Sequence, residues 1–303
     1  MQPLQPDPEL ALTSIDQLKQ FFRHPARTFL RARLRIYIGD DEMELDDAEP
    51  FELSGLEQFG LAEGTLQALV EGQDPEQIHA DAVASGHIMP GDIGARQFDK
   101  SLERATLILQ AFRDMASEEP TPFRGECVLG NNVCLEGTVP NVYGSTIVEF
   151  RPSTLRQRQV LSAWVDHLFV NAVRGATETK LLSIGQTSGR DVPKIDTLTA
   201  LPQDEAIERL TELGQLYEQG MTQPLPLLPE TSHAYLESLN KHEPWSKAAE
   251  RALSQWERDS PGAEGMDPNY TRLFSFPRDF DETFVQTARR VFDPILQHRK
   301  QEK

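Results

Sequence analysis

The chain has 303 residues, 38% of them hydrophobic and 26% charged, and a formal net charge of −18. That length admits one large domain or two small ones, and the apolar fraction suffices to close a core, which excludes global disorder. The acidic balance argues against a free-standing, non-specific nucleic-acid binder, whose affinity comes from neutralising phosphates, but it leaves room for a local basic track.

No stretch approaches the roughly 18 uninterrupted apolar residues of a membrane span, so no membrane contact is expected. Residues 1–10, MQPLQPDPEL, lack a basic region followed by an apolar one and read as a linker-like start rather than a secretory signal. Cys127 and Cys134 are too few for a zinc site or a disulfide framework, so a reducing cytoplasm is the expected setting.

Residues 11–120 read as mainly helical. Ser14 is placed to cap the stretch carrying Ile15, Leu18, Phe21 and Phe22, and apolar residues recur at three and four over Leu53–Glu71 and Phe98–Met115. Between those two stretches, Ser85–Gly94 is dense in turn formers and reads as a loop. Charge is unevenly placed. From Gln17 to Arg35 there are six bases and no acids, and from Asp40 to Glu52 eight acids and no bases. Lys19, Arg23, Arg27 and Arg31 recur every fourth residue, so one helix would align them on one side; Pro25 instead suits a first helical turn and predicts two helices meeting near His24. The strip reads either as a solvated face neutralised by the acidic run, or as a surface that contacts phosphates or a partner.

From residue 121 the composition turns strand-like, and 121–303 reads as a small mixed sheet with flanking helices, forming one compact unit with 11–120. Gly130-Asn131 predicts a two-residue hairpin turn that would set Cys127 opposite Cys134 as a small core pair of free thiols. A third strand is expected over Ser145–Arg151, a helix over residues 153–175 with Leu161, Trp164, Val165, Leu168 and Phe169 as its apolar stripe, and a short strand over Lys180–Ile184. A helix over Gln203–Gly220 is expected to end at Gly220, and the last 70 residues read as helices with long loops. The order predicts an α/β (α+β) fold.

Recognisable chemistry is sparse. Gly185–Gly189 lacks the spacing and the lysine of a phosphate loop, the seven histidines show no metal-ligand spacing, and His167 reads as structural. One constellation stands out. Restriction-type nucleases hold Mg²⁺ with acids on successive strands, and a lysine two residues after the second acid activates water. Here the matching string runs Gly137-Thr-Val-Pro140, a turn, then Ile147-Val-Glu149-Phe-Arg151 and a helix. Pro140 stands for the first acid and Arg151 for the lysine. Proline offers no side-chain ligand and arginine does not shed its proton, so these positions read as vestiges of a nuclease-like (restriction-endonuclease-like) scaffold with a degenerate active site.

Several strings, in order along nearly the whole chain, resemble the C-terminal domain of RecC, the gamma chain of the exodeoxyribonuclease V (RecBCD) helicase–nuclease. They are Leu18-Lys-Gln-Phe-Phe-Arg-His-Pro-Ala-Arg-Thr-Phe-Leu-Arg-Ala-Arg-Leu34, Asp47-Ala-Glu-Pro-Phe51 with Leu53-Ser-Gly-Leu-Glu57, Met89-Pro-Gly-Asp-Ile-Gly94, Phe150-Arg-Pro152, the segment from Tyr217 to Tyr235 with its Gln-Pro-Leu-Pro-Leu-Leu-Pro-Glu-Thr core, and Gly265-Met-Asp-Pro-Asn-Tyr270. The resemblance implies a terminal fragment of a longer chain and a nuclease-like fold without nuclease activity of its own. It implies RecB and RecD as partners, with ATP and Mg²⁺ used by those subunits and no cofactor here, and forked duplex and single-stranded DNA handled within the complex. Asn141, Tyr143, Arg151, Arg156 and Arg158 are then candidates for DNA contact, and Lys19, Arg23, Arg27 and Arg31 for a partner or phosphate strip. The alternative is an active Mg²⁺-dependent nuclease whose acids lie elsewhere in the chain.

Overall fold

A computed structural model describes residues 3–38, 55–115, 119–130, 132–259, 262–277 and 280–301. The acidic run Asp40–Glu52 lies outside the described residues, as does Asn131.

Helices α1 (Ile15–Arg23) and α2 (Pro25–Leu34) meet at His24, as the proline implies. Ser14 and Gln17 form a reciprocal capping box at the start of α1. His24 ends α1 and caps α2, its Nδ1 accepting from the Arg27 amide at 3.2 Å. Helices α3 (Gly55–Val70), α4 (Pro75–Ala84) and α5 (Asp92–Met115) follow; α4 was not foreseen, and α5 begins inside the stretch expected to be a loop. Strands β1 (Phe123–Val128) and β2 (Cys134–Val139) form a separate antiparallel ribbon. The main sheet has the order β3-β4-β5-β6-β7, from β3 (Val142–Tyr143), β4 (Thr146–Phe150), β5 (Glu178–Thr187), β6 (Arg190–Leu198) and β7 (Arg299–Gln301). Strands β4 and β5 are parallel and joined by helix α6 (Gln157–Arg174), while the other pairs are antiparallel. Helices α7 (Gln203–Thr222), α8 (Pro229–Asn240), α9 (Trp245–Trp256), α10 (Pro268–Leu273) and α11 (Glu282–His298) complete the chain. This is a mixed α/β architecture.

The period-2 alternation of strands explains the layering. Leu181 on β5 points into the large core that contains α1, α6 and α7, whereas its neighbour Leu182, with Ile184, packs against Leu66, Ala105, Ile108 and Leu109 of α3 and α5. The sheet is therefore covered on both faces. Helix α6 is buried almost all round: the expected stripe of Leu161, Trp164, Val165, Leu168 and Phe169 is inside, and so are Asp166, His167 and Asn171. His167 is structural. Its Nδ1 lies 2.8 Å from Thr179 Oγ1, and burial lowers its pKa to about 3, so it stays neutral.

Four local expectations need correction. The first hairpin closes one residue later than expected: Leu129 N–H donates to the Val133 carbonyl at 2.8 Å, so three residues connect the strands, and Asn132 takes a left-handed conformation with φ 61°. The slip pairs Val128 with Cys134 and Cys127 with Leu135. A one-residue slip turns a side chain to the other face, so Cys127 is buried and Cys134 exposed, and the two do not form a core pair. The strand foreseen at Lys180–Ile184 is ten residues long and turns back at Ser188-Gly189, both at positive φ, into the unforeseen β6. Gly220 does not stop α7, which continues to Thr222. A Cβ on Gly220 would lie 2.2 Å from Phe21 Cζ, so the glycine makes room for that ring.

Candidate functional site

The cation spacing of α1 and α2 acquires meaning from what their apolar faces bury. Leu18, Phe21 and Phe22 of α1, with Ala26, Phe29 and Leu30 of α2, all point into the protein, which turns Lys19, Arg23, Arg27 and Arg31 outward. These four side chains line one wall of a cleft of about 1040 Å³, and Arg151 and Arg158 line it from the sheet and α6. Six of the cations singled out in the sequence therefore converge, although two elements about 120 residues further along supply the opposite wall. Arg35, the left-handed cap of α2, joins them.

Deep in the cleft lie two carboxylates. Lys19 Nζ sits 3.0 Å from Asp166 on α6 and 3.0 Å from the exposed Asp16. Burial pushes Asp166 up to about 7; the charges of Glu149 and Asp16 add to that, and Lys19 opposes it. Burial alone would lower the Lys19 pKa, but Asp166 and Asp16 together outweigh burial and raise it. Glu149 on β4 is also pushed upward by burial, against the Asn141 amide, Arg151 and Lys19. Lys19 at this position was legible as part of a basic strip, but Asp166 was not, because it is one polar residue inside an apolar helical stripe.

The remaining candidates are placed as follows. Arg151 pairs with Glu63 of α3 at 2.7 Å. Asn141 donates to Glu149 Oε1 at 3.4 Å, and the Tyr143 ring meets Phe112 edge-on at 5.3 Å, so both engage their own chain. Pro140, Asn141 and Tyr143 are not among the residues lining the cleft. Arg27 lies 3.5 Å from Asp267, which also receives His24 Nε2 at 2.8 Å, while the His24 ring stacks on Tyr270 at 4.4 Å. Arg31 stands over the Tyr37 ring at 5.8 Å. Arg156 occupies the N-cap position of α6 without a side-chain capping bond, and its guanidinium reaches the Gly262 carbonyl at 3.4 Å. A smaller pocket containing Arg156 adjoins the cleft and shares Arg23, His24 and Arg158 with it.

As a metal site the cleft is poor. Among the described residues no three His, Cys, Asp or Glu side chains come together to hold an ion. Of the three carboxylates lining the cleft, Asp16 and Asp166 are bonded to the Lys19 ammonium and Glu149 to the Asn141 amide. Nor, among the described residues, is any helix long and apolar enough to cross a membrane.

Comparison with known proteins agrees with the resemblance in the sequence. The RecC subunit of the RecBCD enzyme from Escherichia coli K12 is 27% identical over 293 residues, which cover 93% of this chain and 25% of that protein. The RecC subunit from Mycobacterium tuberculosis H37Rv is 27% identical over 233 residues, 77% of this chain and 21% of its own length. That from Buchnera aphidicola is 20% identical over 302 residues. The chain thus spans about a quarter of the length of the curated relatives it matches. The family model of the RecC C-terminal domain matches residues 11–240, and the chain belongs to the RecC C-terminal domain family.

Proposed function

We propose that this chain is a non-catalytic scaffold that guides a DNA strand within a RecBCD-type helicase–nuclease during double-strand-break repair by recombination. One observation carries the reading: Lys19, Arg23, Arg27 and Arg31 face Arg151 and Arg158 across a single cleft. In an acidic protein such a cleft still attracts phosphate, because at physiological salt charges farther than about 8 Å are screened and the local cations dominate. The Arg151–Glu63 pair is partly solvated on both sides, so exchanging Glu63 for a phosphate costs at most about 1 kcal/mol. The relatives' name, RecBCD enzyme subunit RecC, is consistent with RecB and RecD as partners. In this reading the complex works in the cytoplasm, with ATP and Mg²⁺ used by those partners and no cofactor bound by this chain. The scaffold is read as nuclease-like and degenerate, on the strand–helix–strand unit β4-α6-β5 with Pro140 and Arg151 in place of an acid and a lysine.

The test is co-purification of this chain at moderate salt with RecB and with RecD separately, followed by unwinding assays of the complex carrying charge reversals at Arg31, Arg151 and Arg158. Slower unwinding supports strand guidance, and unchanged unwinding overturns it. The second reading, a Mg²⁺-dependent nuclease, draws on the electrostatic contact between Glu149 and Asp166. Metal-dependent cleavage of linear DNA that disappears in both Glu149→Ala and Asp166→Ala would establish it instead.

A further inference from the structure

The small pocket at the end of the cleft gathers three guanidinium groups that none of its carboxylates pairs with directly. Arg23 at the end of α1 and Arg156 and Arg158 at the start of α6 come together there from parts of the chain about 130 residues apart. Among the described residues no carboxylate lies within ion-pair distance of any of the three guanidinium groups, and the one hydrogen bond they make is from Arg156 to the Gly262 carbonyl at 3.4 Å. All three residues are exposed, so their remaining donors face solvent.

The acids in the same pocket are committed elsewhere. Glu230 accepts from the Gln157 amide at 2.7 Å and from the Arg158 amide, capping α6. Glu264 accepts from the amides of Glu230 and Thr231, each at 2.9 Å, capping α8. Asp267 is held by His24 and by the Asn269 amide. Each carboxylate is bonded to backbone donors or an imidazole and none bonds the three guanidinium groups, although Glu230 attracts Arg156 and Arg158 at longer range. Burial also pushes Glu264 up to about 7, which removes part of its charge at neutral pH. The Arg158 pKa is lowered first by partial desolvation of its guanidinium and then by the charge of Arg156, with a smaller push from Arg23, while Glu230 and Tyr270 oppose the shift without bonding to that guanidinium. Guanidinium groups gathered without a directly bonded carboxylate leave their donor forks open to an oxyanion, and the guanidinium fork matches phosphate oxygens in pairs.

We propose that Arg23, Arg156 and Arg158 form a discrete phosphate-binding site that grips a phosphate group of a nucleic-acid strand where it leaves the cleft. The site extends the strand-guiding reading and rests on it for the source of the phosphate, while its affinity for a phosphate oxyanion follows from the arginine cluster alone.

Two measurements on the 303-residue chain separate the two. In the first, fluorescence anisotropy follows binding of a fluorescent oligothymidylate from low to moderate salt. It compares the unmodified chain with an Arg156→Gln variant, whose residue lines the small pocket and not the cleft, and an Arg31→Gln/Arg151→Gln variant, each checked for an unchanged circular dichroism spectrum. One lost phosphate contact should flatten the dependence of log affinity on log salt by about 0.7 in the Arg156→Gln variant. An unchanged slope there, with a flatter one in the cleft variant, overturns the site and keeps the cleft. In the second, arginine side-chain NMR signals are followed during titration with inorganic phosphate against chloride at matched ionic strength. Shifts of signals that vanish in the Arg156→Gln variant uphold the site even if the oligonucleotide does not bind, an outcome that removes the cleft reading alone. No phosphate-specific shift overturns the site.

Discussion

Replacing Gly220 with alanine puts a methyl carbon 2.2 Å from Phe21 Cζ and 2.8 Å from its Cε2. Carbon atoms rest about 3.5 to 4 Å apart, so the ring or the helix has to give by more than an ångström. Phe21 has little room for that. It is fully buried and set edge-on against Phe22 at 5.1 Å and Tyr217 at 5.3 Å. Overpacking of this kind costs about 1–3 kcal/mol, and the closeness of the contact argues for the upper end. Alanine regains about 1 kcal/mol of helix propensity, leaving a net loss of about 2 kcal/mol. Gly64→Ala is the control, because α3 leaves nothing within 4 Å of the added methyl, so only the propensity gain of about 1 kcal/mol remains. Thermal unfolding followed by circular dichroism should therefore move in opposite directions for the two variants, with Tm falling by about 4 °C for Gly220→Ala. A Gly220→Ala chain as stable as the unmodified one would refute the claim that this glycine exists to admit Phe21.

Asp196 is fully buried and is paired with Arg299 at 2.7 Å and Lys194 at 3.4 Å; Arg299→Ala should cost about 3 kcal/mol in urea unfolding, and a loss under about 1 kcal/mol would show that Lys194 suffices. Burial holds the Glu264 carboxyl near 7 against 4.5 for the free group, so its protonated form favours the fold, and that contribution is lost as pH rises from 4.5 through 7. Over that window the stability of Glu264→Gln relative to the unmodified chain should therefore improve by up to about 3 kcal/mol, and a pH-independent difference would contradict the assignment. The native chain should also show one fast thiol towards alkylation, the exposed Cys134, and one protected thiol, Cys127, which burial pushes up to about 11. Equal rates would restore the symmetric hairpin.

Local chemistry was legible wherever one residue dictates the backbone. Pro25 with His24 marks the break between α1 and α2, Ser14 and Gln17 mark the start of α1, and the stripe of α6 gives its inward face. Legibility failed where a neighbour distant in sequence decides. Gly220 looks like a helix stop until Phe21 is seen against it. The Gly130 turn looks two residues long until Asn132 adopts its left-handed conformation and moves Cys134 to the other face. The β5–β6 turn looks like a failed phosphate loop because Ser188-Gly189 sits between strands whose pairing is long-range.

The candidate site divides in the same way. Family membership and the four-residue spacing of Lys19, Arg23, Arg27 and Arg31 belong to the sequence, since ordered motifs and helical period are properties of the linear chain. That these cations face Arg151 and Arg158, that Asp166 reaches Lys19, and that Arg23 joins Arg156 and Arg158 were decided only by the packing of α1 against α6 and of α6 against the sheet. Burial of Leu18, Phe21 and Trp164 drives that packing, and hydrophobic burial carries no directional information about which charges end up across the cleft from each other.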